Sequence, residues 1–197
     1  SVRGLRDTAI IALMLCTGIR EAELCSIETQ DLRQELGGEL ALHVREGKGC
    51  KERLVPYGDL DWVLVVLDRW RRVLAEVAKV TKGPIFRGFY KGYKTARPGP
   101  LSLRAVEYIV GRYPVAIDGH SVRVTPHDLR RTYARLMYDA GMELVAIQQN
   151  LGHADIKTTL GYIGELEADK RRGLAVLSYD LSQLQDENTW EQTQIFI

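Results

Sequence analysis

The stretch from residue 125 to residue 163 gathers side chains that suit chemistry on a phosphate ester. His127 and Arg130 lie three residues apart, His153 ends a Leu-Gly-His triplet, and a lone tyrosine follows at Tyr162. A guanidinium binds phosphate oxygens, an imidazole transfers protons or donates hydrogen bonds, and a phenol that loses its proton can attack phosphorus. The stretch therefore predicts a phosphoryl-transfer site in which Tyr162 forms a covalent phosphotyrosine, assisted by His127, with His153 as a hydrogen-bond donor to the phosphate.

A second arginine, Arg20, stands near the beginning of the chain with Glu23 three residues later. The spacing places both on one face of a short helix predicted to begin near Arg20, so the carboxylate could hold the guanidinium in a fixed pose. Taken alone, the pair is better explained as a surface ion pair. Together with Arg130 it favours function, because two guanidinium groups can bind the oxygens of one phosphodiester through bonds worth about 1.5–3 kcal/mol each.

Lys48 is predicted to lie at the tip of a β-hairpin. Residues 39–45 and 52–57 alternate apolar and polar side chains as strands do, and a glycine-rich turn joins them. A lysine on a mobile hairpin can swing into a site and donate a proton to the departing 5′ oxygen. Considered alone, it is better explained as an exposed turn lysine. Lys51 and Arg53 add positive charge beside it, as a surface lined by phosphates requires.

The remaining elements are predicted to be mostly helical, so the fold class expected is mainly α with a small antiparallel β-hairpin sheet (α+β). Apolar residues recur at helical spacing, and Asp7 is placed to cap the first helix or to acidify its first turn. A buried stripe is predicted along the long helix, formed by Trp62, Val66, Trp70 (or Arg69), Val73 and Val77. The predicted helices cover residues 6–17, 59–80, 101–111, 126–140 and 144–151, followed by a short helix that carries Tyr162.

Tyr162 and the loop of residues 81–100 each leave two interpretations open. A half-buried core tyrosine is the ordinary expectation, but Gly161 and Gly164 are poor packing neighbours and good hinges. In the loop, Lys91 and Lys94 stand among glycine, proline and tyrosine. This pattern fits either a segment over a nucleic-acid backbone or a solvated surface loop, about equally well.

The bulk properties are those of one globular domain. The 197 residues carry a formal net charge of +1, so a polyanion partner has to be bound by clustered basic residues rather than by overall charge. Three cysteines without ligand spacing indicate reduced thiols and a cytoplasmic location. No secretory signal or membrane-spanning run is recognised. No metal or cofactor is expected, because the acidic residues form no ligand cluster and the histidines neighbour arginines.

Five motifs, in order along the chain, resemble the catalytic domain of the tyrosine recombinases, the phage integrase and Xer-like family. They are Thr17-Gly18-Ile19-Arg20-Glu21-Ala22-Glu23-Leu24, Gly47-Lys48-Gly49-Cys50-Lys51-Glu52-Arg53, His127-Asp128-Leu129-Arg130-Arg131-Thr132, Leu151-Gly152-His153 and Tyr162. Each motif is weak alone, and all five in order are a strong signal.

The resemblance implies strand exchange through a 3′-phosphotyrosyl intermediate, without metal or ATP. The catalytic residues it implies are Arg20, Lys48, His127, Arg130, His153 and Tyr162, supported by Glu23. Candidate DNA contacts are Lys51, Arg53, Arg131, Lys91 and Lys94. The catalytic domain is expected to span residues 1–180, followed by a tail of residues 181–197 that docks on another protomer. The chain is expected to lack the family's N-terminal core-binding domain and therefore to be a fragment.

The expected partner is double-stranded DNA that carries a specific recombination site. The resemblance implies a homotetramer in the synaptic complex and a monomer for the isolated domain, and it leaves room for accessory DNA-bending proteins. Two rival functions remain open from the sequence: a type IB topoisomerase-like enzyme, and a catalytically idle DNA-binding domain of the same fold.

Overall fold

Helices dominate the computed structural model, which describes residues 1–45, 52–58 and 60–168. The helices are α1 (Val2–Thr17), α2 (Glu21–Ser26), α3 (Asp61–Glu76), α4 (Leu103–Val110), α5 (Pro126–Asp139), α6 (Leu144–Leu151) and α7 (Ile156–Ala168), with one 3₁₀ turn at Thr29–Asp31. The strands are β1 (Gln34–Leu36), β2 (Glu39–Val44), β3 (Arg53–Pro56), β4 (Val115–Ile117) and β5 (His120–Val122). The mainly helical fold class with small antiparallel sheets is confirmed.

Helix α1 lies at the centre of the fold and packs against both α3 and α5. It begins at Val2, four residues earlier than predicted, because the Ser1 side chain accepts a hydrogen bond from the Gly4 amide. The prediction that Asp7 caps this helix or acidifies its first turn is wrong, because the helix begins five residues before it. Asp7 is fully buried and is paired with Arg6 and Arg112, so its charge stabilises the interior contact between α1 and the segment after α4.

The predicted hairpin is confirmed as strands β2 and β3, which pair with Leu42 opposite Val55 and Val44 opposite Arg53. A third strand, β1, extends this sheet along the other edge of β2. A second hairpin, β4–β5, was not predicted; its turn is formed by Asp118 and Gly119, which both adopt positive φ angles. Lys48 and Lys51 lie outside the described residues, in the connection between β2 and β3.

Two apolar clusters form the core. The larger one joins α1, α3, α4 and the three-stranded sheet around Trp70, whose indole donates to the Ile85 carbonyl at 2.9 Å. The smaller one joins α5 and α6 through Tyr133, Ala134, Ile147 and Leu151. The smaller cluster therefore fixes α5 and α6, which carry the motifs of the carboxy-terminal third, relative to each other.

The stripe predicted for α3 is correct at its centre and wrong at its end. Val66 and Trp70 are buried, while Val77 is 40% exposed. The helix ends at Glu76, so Val77 no longer turns toward the core.

The segment of residues 81–100 has no helix, as predicted, but it is folded back on itself. Backbone hydrogen bonds join Tyr90 to Thr95 and Arg97 to Gly88, and the Arg97 guanidinium lies 5.3 Å from the Tyr90 ring centroid. Lys91 and Lys94 are exposed at its tip. Within the described ranges, no helix has the length and apolar character needed to cross a membrane.

Candidate active site

Tyr162 lies between the two histidines of the predicted site. Its ring centroid is 5.2 Å from that of His127 and 4.9 Å from that of His153, both in edge-to-face geometry. The Arg131 guanidinium carbon lies 5.8 Å from the same ring centroid. Helices α5, α6 and α7 therefore converge on the tyrosine that the sequence singled out.

Arg130 is the buried cation of the site, with 3% of its surface exposed. It donates to the Gly18 carbonyl at 2.5 Å and to the Leu151 carbonyl at 2.6 Å. Burial and the nearby Arg20 charge lower the pKa of Arg130 to about 10, against the opposing effects of the Tyr162 charge and a hydrogen bond with Tyr162. Arg130 thus stays charged at neutral pH and is close to both the second arginine and the phenol.

Arg20 caps α2 and reaches toward the end of α6. Its guanidinium donates to Glu23 at 3.0 Å and to the Gly152 carbonyl at 3.0 Å, and about a third of its side chain (34%) is exposed. The Glu23 carboxylate also accepts from the Arg20 backbone amide at 2.8 Å. The fixed pose predicted for the Arg20–Glu23 pair is therefore present, and Arg20 keeps a surface on which an anion can bind.

Three successive carbonyls at the end of α6 hold three arginines. Asn150 accepts from Arg53 at 2.7 Å, Leu151 from Arg130 at 2.6 Å and Gly152 from Arg20 at 3.0 Å. The last carbonyls of a helix lack partners within it and form the negative end of its dipole, so they attract cations. This helix end brings the two candidate catalytic arginines together through neutral backbone carbonyls. Arg20 is in addition paired with the Glu23 carboxylate.

Arg53 differs from its predicted role as a DNA contact. Its side chain is only 10% exposed and donates to both oxygens of Glu23 at 2.9 Å, besides the Asn150 carbonyl. The guanidinium faces inward, where it cannot reach a phosphate backbone. A surface position was expected for Arg53 because it is basic and close to Lys51 in the sequence. In the structure its side chain lies on the inward face of β3.

His153 follows the left-handed Gly152 that ends α6 and is 9% exposed. Burial, followed by the charges of Arg130, Arg20 and Arg53, lowers its pKa to about 4, so the imidazole is neutral at pH 7. Its Nδ1 lies 2.9 Å from the Thr159 hydroxyl. When that hydroxyl donates to Nδ1, the ring proton is on Nε2, where it can donate to a substrate oxygen.

His127 stands in the first turn of α5, directly after Pro126 and the capping box formed by Thr125 and Asp128. Partial desolvation and the charge of Arg131 lower its pKa, with Asp128 opposing the shift. The ring is exposed while Arg130, one turn later, is buried. Ala134, one turn after Arg130 on α5, is fully buried in the smaller core.

Five of the six predicted catalytic residues thus lie together, namely Arg20, His127, Arg130, His153 and Tyr162; Lys48 lies outside the described residues. Two further positions were missed. Thr159 is fully buried and contacts His153; its place three residues before Tyr162, on one face of a helix, was the available signal. Asn150, which donates to the Tyr133 hydroxyl at 2.9 Å, had no comparable signal.

Comparison with known proteins identifies the class. The model of the phage integrase family matches residues 1–168. The chain is 35% identical over 161 residues to tyrosine recombinase XerD of Ralstonia nicotianae, covering 81% of this chain and 48% of that protein. It is 35% identical over 169 residues to tyrosine recombinase XerC of Syntrophus aciditrophicus, covering 82% and 49%. The chain belongs to the phage integrase family, and it spans about half the length of these relatives.

Solved structures agree with this fold. The crystal structure of XerA recombinase superposes with a TM-score of 0.61 at 25% identity, over 85% of this chain and 57% of that one. A lambda integrase dimer bound to a COC′ core site gives 0.56 at 20% identity, over 82% and 55%. The architecture described above is therefore that of a tyrosine recombinase catalytic domain.

Proposed function

We propose that this chain is the catalytic part of a site-specific DNA recombinase that integrates or excises mobile DNA. The observation that carries the proposal is the position of Tyr162 between His127 and His153, next to Arg130. A nucleophile, two groups able to handle protons or donate hydrogen bonds, and a buried cation meet at one place. The recombinases and integrases among the relatives support strand exchange over the topoisomerase-like and catalytically idle alternatives.

In the proposed reaction, the Tyr162 oxygen attacks the scissile phosphorus and the bond from phosphorus to the 5′ oxygen breaks. The phenol proton leaves with the help of His127, and Lys48 supplies a proton to the departing 5′ oxygen. The product is a 3′-phosphotyrosyl bond and a free 5′ hydroxyl. Attack by another 5′ hydroxyl reverses the steps and rejoins the strands, so the bond energy is conserved and no ATP is consumed.

The two arginines and His153 stabilise the negative charge that grows on the phosphate oxygens in the transition state. Arg20 and Arg130 are already fixed by backbone carbonyls and Glu23, so little reorganisation is needed when the phosphate binds. Neutral His153 can add a hydrogen bond without placing a third charge beside the arginines.

The proposed partners follow from this reaction. The substrate is double-stranded DNA with a specific site, contacted by Arg131, Lys51, Lys91 and Lys94. Two sites held by a homotetramer allow strand exchange, while the isolated domain is a monomer. Accessory DNA-bending proteins and docking of residues 181–197 on a neighbouring protomer complete the proposal, and DNA as substrate fits a cytoplasmic location.

The test uses a library of nicked duplexes with a randomised centre. Cleavage a short distance 5′ of the nick, on the nicked strand itself, releases a short 5′-hydroxyl fragment that diffuses away, which traps the covalent adduct. We expect a denaturant-resistant protein–DNA adduct from the unaltered chain and from Tyr138→Phe, a control whose ring is exposed on α5, and none from Tyr162→Phe. Sequencing the trapped DNA gives the target site. Adduct persisting in Tyr162→Phe, or absent from the unaltered chain, contradicts the proposal.

A further inference from the structure

Arg53 occupies an unusual position for a basic residue in a DNA-processing site. It begins β3, two residues after the candidate DNA contact Lys51, yet 90% of its side chain is buried and its donors are directed into the protein. The free energy of burying a guanidinium is high unless it is fully paired. The contacts that offset the cost of burying the Arg53 guanidinium indicate which groups it positions.

The first contact is with Glu23, the partner of Arg20. Each carboxylate oxygen of Glu23 accepts two hydrogen bonds, one from Arg20 and one from Arg53, so that Arg53 supplies half of the four. Burial raises the pKa of Glu23, but the bonds and charges of Arg53 and Arg20 together lower it, so the carboxylate stays ionised. A planar, two-pronged guanidinium fixes both oxygens at once, which a single ammonium cannot do.

The second contact is with the end of α6. Arg53 donates to the Asn150 carbonyl at 2.7 Å, and a Cβ built on Gly152 would meet its guanidinium at 2.9 Å. The Arg53 side chain thus packs against the peptide that receives Arg20 and precedes His153. It contacts the supports of two proposed catalytic groups while remaining too buried to contact DNA.

We infer that Arg53 is a positioning residue for strand cleavage: it locks Glu23 and the end of α6 together, and so fixes Arg20 and His153 toward the phosphate. This inference rests on the proposed function. Misplacement of a catalytic group by about 1 Å can reduce a rate by on the order of 100-fold. Arg53 therefore affects the reaction through charge stabilisation by Arg20, without touching the substrate.

The test compares Arg53→Met with Arg6→Met on a duplex recovered by adduct trapping. The two arginines are matched: Arg6 is 9% and Arg53 10% exposed, and each is paired with a buried carboxylate that keeps a second arginine, Arg112 for Asp7 and Arg20 for Glu23. We expect the single-turnover rate of adduct formation to fall by about 100-fold in Arg53→Met and by about twofold or less in Arg6→Met. Arg53→Lys, which keeps the charge but not the fork, is expected to lose about 10-fold.

A second substrate separates positioning from general damage. When a methyl group replaces one non-bridging oxygen of the scissile phosphate, less charge develops there and Arg20 has less to stabilise. The deficit of Arg53→Met should then shrink to about 10-fold or less, whereas a merely destabilised protein loses the same factor on both substrates. Arg53→Lys repeats this comparison if Arg53→Met does not fold.

The outcomes are distinct. Equal rates for the Arg53 and Arg6 variants, or the same deficit on both substrates, overturn the role of Arg53 and leave the proposed function standing. Absence of adduct from the unaltered chain overturns the proposed function, and the inference with it.

Discussion

The arginines and the tyrosine of the candidate site are held in different ways. Arg130 is almost completely buried and bonded to two carbonyls at the ends of helices α1 and α6. Tyr162 is half-buried on α7 and is surrounded by rings and a guanidinium rather than by fixed backbone groups. Side chains added at the flanking Gly161 and Gly164 would meet nothing within 4 Å.

This difference separates a preorganised half from an adjustable half. Charge stabilisation is most effective when the donors are already in place, because no reorganisation then accompanies the reaction. A nucleophile such as Tyr162 must first attack phosphorus and later be displaced from it, so its side chain has to be able to move. The comparison predicts that changes around the arginines reduce both stability and activity, while changes around the tyrosine reduce activity without reducing stability.

The largest combined effect on activity and stability is expected from Arg130→Met. Its loss removes charge stabilisation and leaves the Gly18 and Leu151 carbonyls without this donor. We expect adduct formation to fall by on the order of 10³-fold and the free energy of unfolding to fall by about 2–4 kcal/mol. Tyr162→Phe should abolish the adduct while changing stability by about 0.5 kcal/mol or less. Urea denaturation together with the adduct assay measures both; equal stability losses in the two variants would remove the distinction.

Gly18→Ala should destabilise the region around the arginines although no arginine is replaced. Gly18 has a φ of +63°, and a Cβ there would lie 2.4 Å from the Tyr133 ring and 2.8 Å from Leu151. Left-handed strain and the clash together should cost about 2–4 kcal/mol. Gly141→Ala is the matched control, since its φ is +86° and a Cβ would meet nothing within 4 Å; only the strain of about 1–2 kcal/mol is expected. Similar losses in thermal denaturation would show that packing at Gly18 is unimportant.

A pH dependence of stability is expected from His153. Its pKa is about 4 in the folded chain and near 6.5 when unfolded, so the unfolded state binds more protons between these values. Stability should therefore fall as the pH drops through this window, by roughly 1–2 kcal/mol from pH 7 to pH 5.

His153→Gln should flatten that dependence in urea titrations at the two pH values. His120→Gln, on the exposed β4–β5 hairpin, serves as the control and should leave it unchanged. An unchanged slope in His153→Gln would show that the histidine is not held neutral.

The smallest effect tests the adjustable half. Gly161 lies inside α7, and alanine is favoured over glycine there by about 0.5–1 kcal/mol. We expect Gly161→Ala to stabilise the chain by about that amount and to slow adduct formation severalfold, if bending at this point carries Tyr162 to phosphorus. Increased stability with an unchanged rate would mean that Tyr162 reaches the phosphate without a hinge.

The sequence predicted the site correctly where the reactive residues lie in or next to a helix whose ends can be recognised. The helices predicted to end at residues 17 and 151 are each followed by a glycine, and Gly18 and Gly152 both adopt left-handed conformations that turn the chain toward the site. The spacing of His127 and Arg130 and the apolar pattern of α5 placed them on one helix correctly. These features depend on local backbone preferences, which neighbouring residues determine.

The sequence was uninformative where long-range pairing decides. Arg53 looked like a surface cation, but its partners, Glu23 and Asn150, are 30 and 97 residues away. Asp7 looked like a cap, but its partner Arg112 is 105 residues away. The three-residue strands β1, β4 and β5 are too short for alternation to be recognised.

The end of α6 is where three separate parts of the polypeptide are joined. Its last peptides receive arginines from α2, from β3 and from α5, and successive carbonyls on a helix point about 100° apart. A twist of that helix by one residue would offer each cation the wrong oxygen. All three guanidiniums would be misaligned in a single event, so the anion-binding surface should form or fail as one unit.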